Sequence, residues 1–120
     1  MDRIDIADKL SKFSDHWSPK IVAGVDGYDV KLVKFVGDFV WHSHADADEL
    51  FLVVKGDFRM DFRDRQVRLG EGQMIVVPQG VEHKPFAEKE CAVMLLERRG
   101  LANTGDATDS ALTQRETQRL

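Results

Sequence analysis

The stretch Phe39–Gly56, FVWHSHADADELFLVVKG, decides how this chain is read. Two of the four histidines stand here at i and i+2, with a glutamate five residues on, in a segment that is otherwise apolar and extended. Alternate side chains of a strand share a face, so His42 and His44 point the same way. If that way is inward, two imidazoles and the Glu49 carboxylate are buried together. Burying them costs several kcal/mol unless something compensates.

Outward from this stretch, the chain between Lys20 and Arg98 reads as short strands separated by turns. The candidates are SPKIVAGV, YDVKLVKFV, DFVWHSH, ELFLVVKG, DFRMDFRD, RQVRLG, QMIVVPQ, HKPFA and CAVMLLERR. Asp26-Gly27, Gly37, Gly56-Asp57, Gly70-Glu71-Gly72 and Pro78-Gln79-Gly80 punctuate them. In FRMDF, Phe58, Met60 and Phe62 fall on one side while Arg59, Asp61 and Arg63 fall on the other. That alternation gives one buried and one wet face. Short strands with such close turns predict an all-β antiparallel sandwich or barrel. Ahead of them, Ile4, Ala7, Leu10 and Phe13 lie near helical spacing and predict a short amphipathic helix, serving as a dimer-contact arm or as a cover for one end of the core.

The expected organisation is a helical arm over residues 1–18, a barrel over 19–100 and a polar, mobile tail over 101–120. With 120 residues, the chain is long enough for one domain with a real core. Hydrophobic residues make up 42%, charged residues 32%, and the net charge is −4, which disfavours nucleic acid or an anionic membrane as partner. The N-terminus opens with acids and lacks the apolar run of a signal peptide, and no segment reads as a membrane span. The single cysteine, Cys91, has no partner for an internal disulfide. Together these lead to the expectation of a cytoplasmic protein.

Two segments carry the chemistry. The first holds Gly37, His42, His44, Glu49 and Gly56; the second, GQMIVVPQGVEH, holds Gly72, Pro78, Gly80 and His83. Three imidazoles and one carboxylate suit a divalent first-row metal and leave positions open for water or substrate. The spacing resembles the two motifs of the cupin superfamily, G-x5-H-x-H-x3,4-E-x6-G and G-x5-P-x-G-x2-H-x3-N. Gly37 stands one residue closer to His42 than the first motif has it, and Ala87 replaces the final Asn of the second. The resemblance implies a double-stranded β-helix, or jelly-roll, cupin barrel of the small single-domain kind. It also implies that His42, His44, Glu49 and His83 hold a divalent transition metal such as Fe, Mn, Ni or Zn.

Function is then expected to be that of a metal-dependent enzyme on a small polar molecule, a dioxygenase or a Lewis-acid isomerase or lyase. In it Glu49 doubles as a catalytic base. The alternative is a non-catalytic module that binds or senses a metal or small ligand, including proteins like the sugar-phosphate isomerases. A homodimer is expected. Asp46 and Asp48 read as solvated turn residues, Glu82 as pointing away from His83, and Lys55 and Lys84 as facing away from the ligands. Phe51 and Val53 share the face of Glu49, Cys91 alternates with Val93 and Leu95 as core, and Trp41 faces opposite to the ligands.

Overall fold

The computed structural model describes residues 1–107, 110–114 and 117–120. Its elements run α1 (Ile6–Leu10), β1 (Lys20–Val25), β2 (Tyr28–Asp38), β3 (Glu49–Lys55), β4 (Asp57–Phe62), β5 (Gln66–Gly70), β6 (Met74–Val77), β7 (His83–Arg98) and β8 (Gln118–Arg119). The strands pair in the order β5-β4-β7-β2-β1-β8, with β3 bridging β7 to β6. β7 lies along β2 over most of its length. Its first residues also pair with β4 and its last with β3. β2 and β7 thus pass from one sheet to the other, and the closed result is a jelly-roll barrel. Its core gathers Val33, Phe35, Phe51, Val53, Phe58, Met60, Val93 and Leu95.

Two segmentations expected from the sequence differ in the structure. HKPFA and CAVMLLERR are one strand, β7, because the break between them is a bulge and not a turn. Between Phe35 and Gly37 of β2 the register advances from Cys91 to Ala87, so the extra residues Glu88, Lys89 and Glu90 are pushed out into solvent. DFVWHSH is not a strand, since β2 ends at Asp38 and only His42 bridges to His83. Pro85 is the reason. It has no N–H to offer Val40, so the ladder cannot extend that way, and the Val40 carbonyl accepts instead from the His42 ring.

The helix is also shorter than its apolar spacing predicts. Asp5 caps it by accepting from the Asp8 N–H at 3.2 Å, but none of its residues is buried, so packing does not extend it. The Lys34 ammonium takes the carbonyls of Leu10 at 2.9 Å and Phe13 at 2.6 Å, and it also sits over the Phe13 ring. Those carbonyls satisfy a cation in place of a further helical turn. On β4 the outer face is drier than alternation suggests. Asp61 is buried because Arg59, at 2.6 and 3.0 Å, and Lys84, at 3.4 Å, cover it.

The motif glycines Gly37, Gly56, Gly72 and Gly80 all have positive φ. At Gly56 the requirement is steric as well, since a Cβ there would lie 3.2 Å from the Glu90 carbonyl oxygen. Described residues after Leu101 bond to the barrel and to one another. Asn103 donates to the carbonyls of Trp17 and Leu112, Thr104 is buried, and β8 pairs in parallel with β1. None of the described helices is long and apolar enough to cross a membrane.

Candidate metal centre

The centre is assembled from one loop, one strand start and one strand end. His42 and His83 exchange both backbone hydrogen bonds, at 3.1 and 2.9 Å, which fixes the two Cα atoms opposite each other. His44 stays in register because its carbonyl accepts from the Gly80 N–H at 2.8 Å. Glu49 opens β3 with its side chain on the buried face, alternating with Phe51 and Val53. The turn between them is tied down by Asp48, whose carboxylate accepts from the Gln79 N–H at 2.9 Å.

The four side chains converge. Each offers a ligand atom, and these atoms lie within 4.8 Å of one another. The His44 and His83 Nε2 atoms are each 3.4 Å from Glu49 Oε1. Ligands about 2.1 Å from a shared tetrahedral ion stand about 3.4 Å apart, so these two distances fit. His42 and His83 donate from Nδ1 to the carbonyls of Val40 and Val81, both at 2.9 Å, which leaves each Nε2 with a bare lone pair turned to the centre. His44 Nε2, Glu49 Oε1 and His83 Nε2 are buried and find no hydrogen-bond partner among the described residues. Buried polar atoms are seldom left so, and three of them facing one point are what an ion would satisfy.

The electrostatics agree with that chemistry. Burial, then the neighbouring His83, push His42 down to about 4, so the ring is neutral at physiological pH as a ligand must be. Burial alone would favour a protonated Glu49. The close approach of Glu97, His44 and His83 outweighs it and holds the carboxyl well below its usual range. Glu97 moves the other way, raised by burial and by its contact with Glu49, against the pull of Lys31. The Lys31 ammonium is 2.6 Å from Glu97 Oε1, and both residues are nearly inaccessible.

Beside the centre lies a narrow cavity of about 20 Å³, room for roughly one water. Trp17, Phe35, Phe39 and Phe51 wall it, and His42, Glu49 and Glu97 edge it. The Trp17 ring stacks on Phe35 at 4.5 Å and on Phe39 at 4.7 Å, and its Nε1 donates to the Val36 carbonyl at 2.9 Å. These bonds fix the wall in place.

The family sequence profile described as "Cupin domain" matches residues 32–97. The chain belongs to the cupin family. Among solved structures, this cupin is 50% identical to a cupin-2 domain protein from Shewanella frigidimarina, with a TM-score of 0.79 over 80% of this chain and 94% of that one. It is 35% identical to a protein from Neisseria meningitidis, with a TM-score of 0.75 over 81% of this chain and 99% of that one. It is 31% identical to the uncharacterized protein YdbB of Bacillus subtilis over 81 residues, 67% of this chain and 66% of that protein's length.

The remaining sequence expectations can be placed on this cupin. Asp46 and Asp48 are exposed, and Asp48 accepts from the Gln79 N–H. Glu82 faces solvent and pairs with Arg63 at 3.1 Å. Lys55 is exposed, and Lys84 binds Asp38 at 2.5 Å on the outer face. Phe51 lines the cavity, while Val53 is plain core. Trp41 is half-buried under the Arg63 guanidinium, 3.9 Å from its ring. His16 lies away from the centre, 2.7 Å from Glu90. Cys91 is fully buried, and burial, with Asp57 and Glu71 nearby, pushes its thiol up to about 12.

Glu97 and Lys31 were not among the expected site residues, although alternation could have found both. Val93, Leu95 and Glu97 share one face of β7, and Lys31, Val33 and Phe35 share one face of β2.

Proposed function

We propose that this cupin is a metal-dependent enzyme acting on a small molecule, with His42, His44, Glu49 and His83 as the ligands of one divalent transition ion. The observation that carries the proposal is the set of buried, partnerless ligand atoms on His44, Glu49 and His83. A bound ion supplies Lewis-acid polarisation of a carbonyl, or redox capacity if it is iron.

The chain's own residues do the rest. Val40 and Val81 lock two imidazoles in one tautomer and orientation. The aromatic wall excludes water, which strengthens every charge interaction at the centre. Glu49 stays ionised at neutral pH, so it can hold the ion or, on loosening, accept a proton from substrate. Among the described residues no lysine or arginine lines the cavity, so a phosphate would find no ion-pair partner there. That favours an uncharged substrate over a sugar phosphate.

The narrowness of the cavity supports a second reading, in which the protein holds a metal or small ligand without turning it over. The separating experiment loads the protein with iron, manganese, nickel or zinc. It then measures oxygen uptake against diketones, phenols and thiols, and isomerisation of hydroxyketones. Turnover that disappears in His83→Ala supports the enzyme; tight metal binding with no turnover supports the second reading.

A homodimer is part of the same proposal. Among the described residues β6 pairs with β3 alone, and Met74 and Val76 on it are 58% and 50% exposed, an apolar edge suited to a second copy. Sedimentation velocity tests it, and a monomer at working concentration defeats it.

A further inference from the structure

We infer that residues 102–107, beyond the matched cupin region, complete the metal centre, with Asp106 as the positioning residue that holds the loop between two of its ligands. The inference rests on the metal reading of the site.

Ser43 separates His42 from His44, and any rotation of its backbone swings both imidazoles. The sheet does not restrain it, because the ladder stops at the His42–His83 bridge. Asp106 does. Its Oδ1 accepts from the Ser43 N–H at 2.8 Å, its Oδ2 accepts from the Ser43 hydroxyl at 3.3 Å, and its own N–H donates to the Ser43 carbonyl at 3.1 Å. Both backbone groups of Ser43 and its side chain are thus taken by one residue 63 positions away.

Gly105 brings the segment close enough for this. It has a φ of +50°, and a Cβ there would collide with the Ser43 carbonyl and lie 3.2 Å from Cε1 of the His44 ring. Only glycine lets the backbone rest against the edge of a ligand. The clamp is fastened from behind. Thr104 is fully buried, with its hydroxyl 2.7 Å from that of Thr113. The Asn103 amide donates to the Trp17 and Leu112 carbonyls and accepts from the Gln114 N–H at 2.7 Å. The same segment therefore holds Trp17, a wall of the cavity, and Ser43, the hinge of the histidine pair. Asp106 touches neither ion nor substrate; it sets where His42 and His44 stand.

The test titrates cobalt(II) into the full-length protein and into Asp106→Ala, Asp106→Asn and Ser43→Ala, by calorimetry and by the visible cobalt spectrum. Asp106→Ala is expected to weaken cobalt binding about 10–100-fold and to shift the spectrum, with the melting temperature little changed. Asp106→Asn, which keeps an acceptor for the Ser43 N–H, recovers most of the affinity. Ser43→Ala stays close to wild type because the main restraint is on the backbone. Wild-type affinity and spectrum in Asp106→Ala overturn the inference. If the wild type takes up no cobalt, the metal reading fails, and amide exchange in the metal-free protein decides the clamp. The Ser43 amide should exchange slowly in wild type and fast in Asp106→Ala, whereas fast exchange in both overturns it.

Discussion

Glu49 and Glu97 are register partners across the β3–β7 ladder, both buried, and their carboxyls are driven in opposite directions, Glu49 well below and Glu97 well above the usual range. Two buried carboxyl groups facing each other resist ionising together, and the shifts favour the proton on Glu97 over Glu49. Lys31, 2.6 Å from Glu97, balances the one negative charge that remains. Glu49, a candidate metal ligand, is thereby favoured as the ionised member of the pair.

Breaking this arrangement on one side should be costly. Glu97→Ala leaves the Lys31 ammonium buried without its acceptor, and urea unfolding should show a loss of about 3–5 kcal/mol. The double variant Lys31→Met, Glu97→Leu should recover only part of that loss, because the unpaired ammonium is gone but the buried Glu49 carboxylate then lacks its counter-charge. Equal stability of wild type and Glu97→Ala would show that the pair is solvated.

His42 makes the metal-free protein sensitive to acid. Its folded pKa, about 4, lies below the ordinary 6.5. As pH falls below about 6.5 the unfolded chain takes up a proton that the folded ring refuses, so stability falls until about pH 4, by about 3 kcal/mol in all. Glu97 works against this. Its raised pKa means that the folded state keeps a proton the unfolded chain has lost, which costs stability as pH rises above 4.5. The share of His42 is therefore read from the difference between wild type and His42→Leu in urea midpoints from pH 4.5 to 8. A difference that does not change with pH contradicts the assignment.

Cys91 should be inert in the folded state. A fully buried thiol held near 12 offers almost no thiolate at neutral pH. Modification by an aromatic disulfide reagent should proceed at the rate of global unfolding and accelerate in urea. Rapid reaction in native buffer would place the thiol at an accessible site.

What the sequence made legible, and what it did not, follows from the range of the interactions. The four ligand candidates stood out because polar donors in an apolar context need a reason, and their motif spacing supplied one. The barrel followed from alternation and turns. The division of β7 was misread because a bulge of exposed residues looks, in one dimension, like a turn. The strand at 38–44 was misread because its end depends on a missing N–H at Pro85, a residue far away in the chain. Glu97 sits in LLERR, where a charged pair at a strand end suggests solvent, yet its parity with Val93 and Leu95 places it inside. Asp106 gave no local signal at all, since its partner at Ser43 lies 63 residues away.

The central claim is that four side chains from separate parts of the barrel share one ion. Crystals of the full-length protein soaked in zinc or cobalt, with anomalous diffraction recorded at the metal edge, test it most directly. The account predicts one strong peak about 2.0–2.3 Å from the imidazoles of His42, His44 and His83 and from the Glu49 carboxylate. A site without anomalous density under saturating metal, with those side chains hydrogen-bonded to each other or to water, would contradict it.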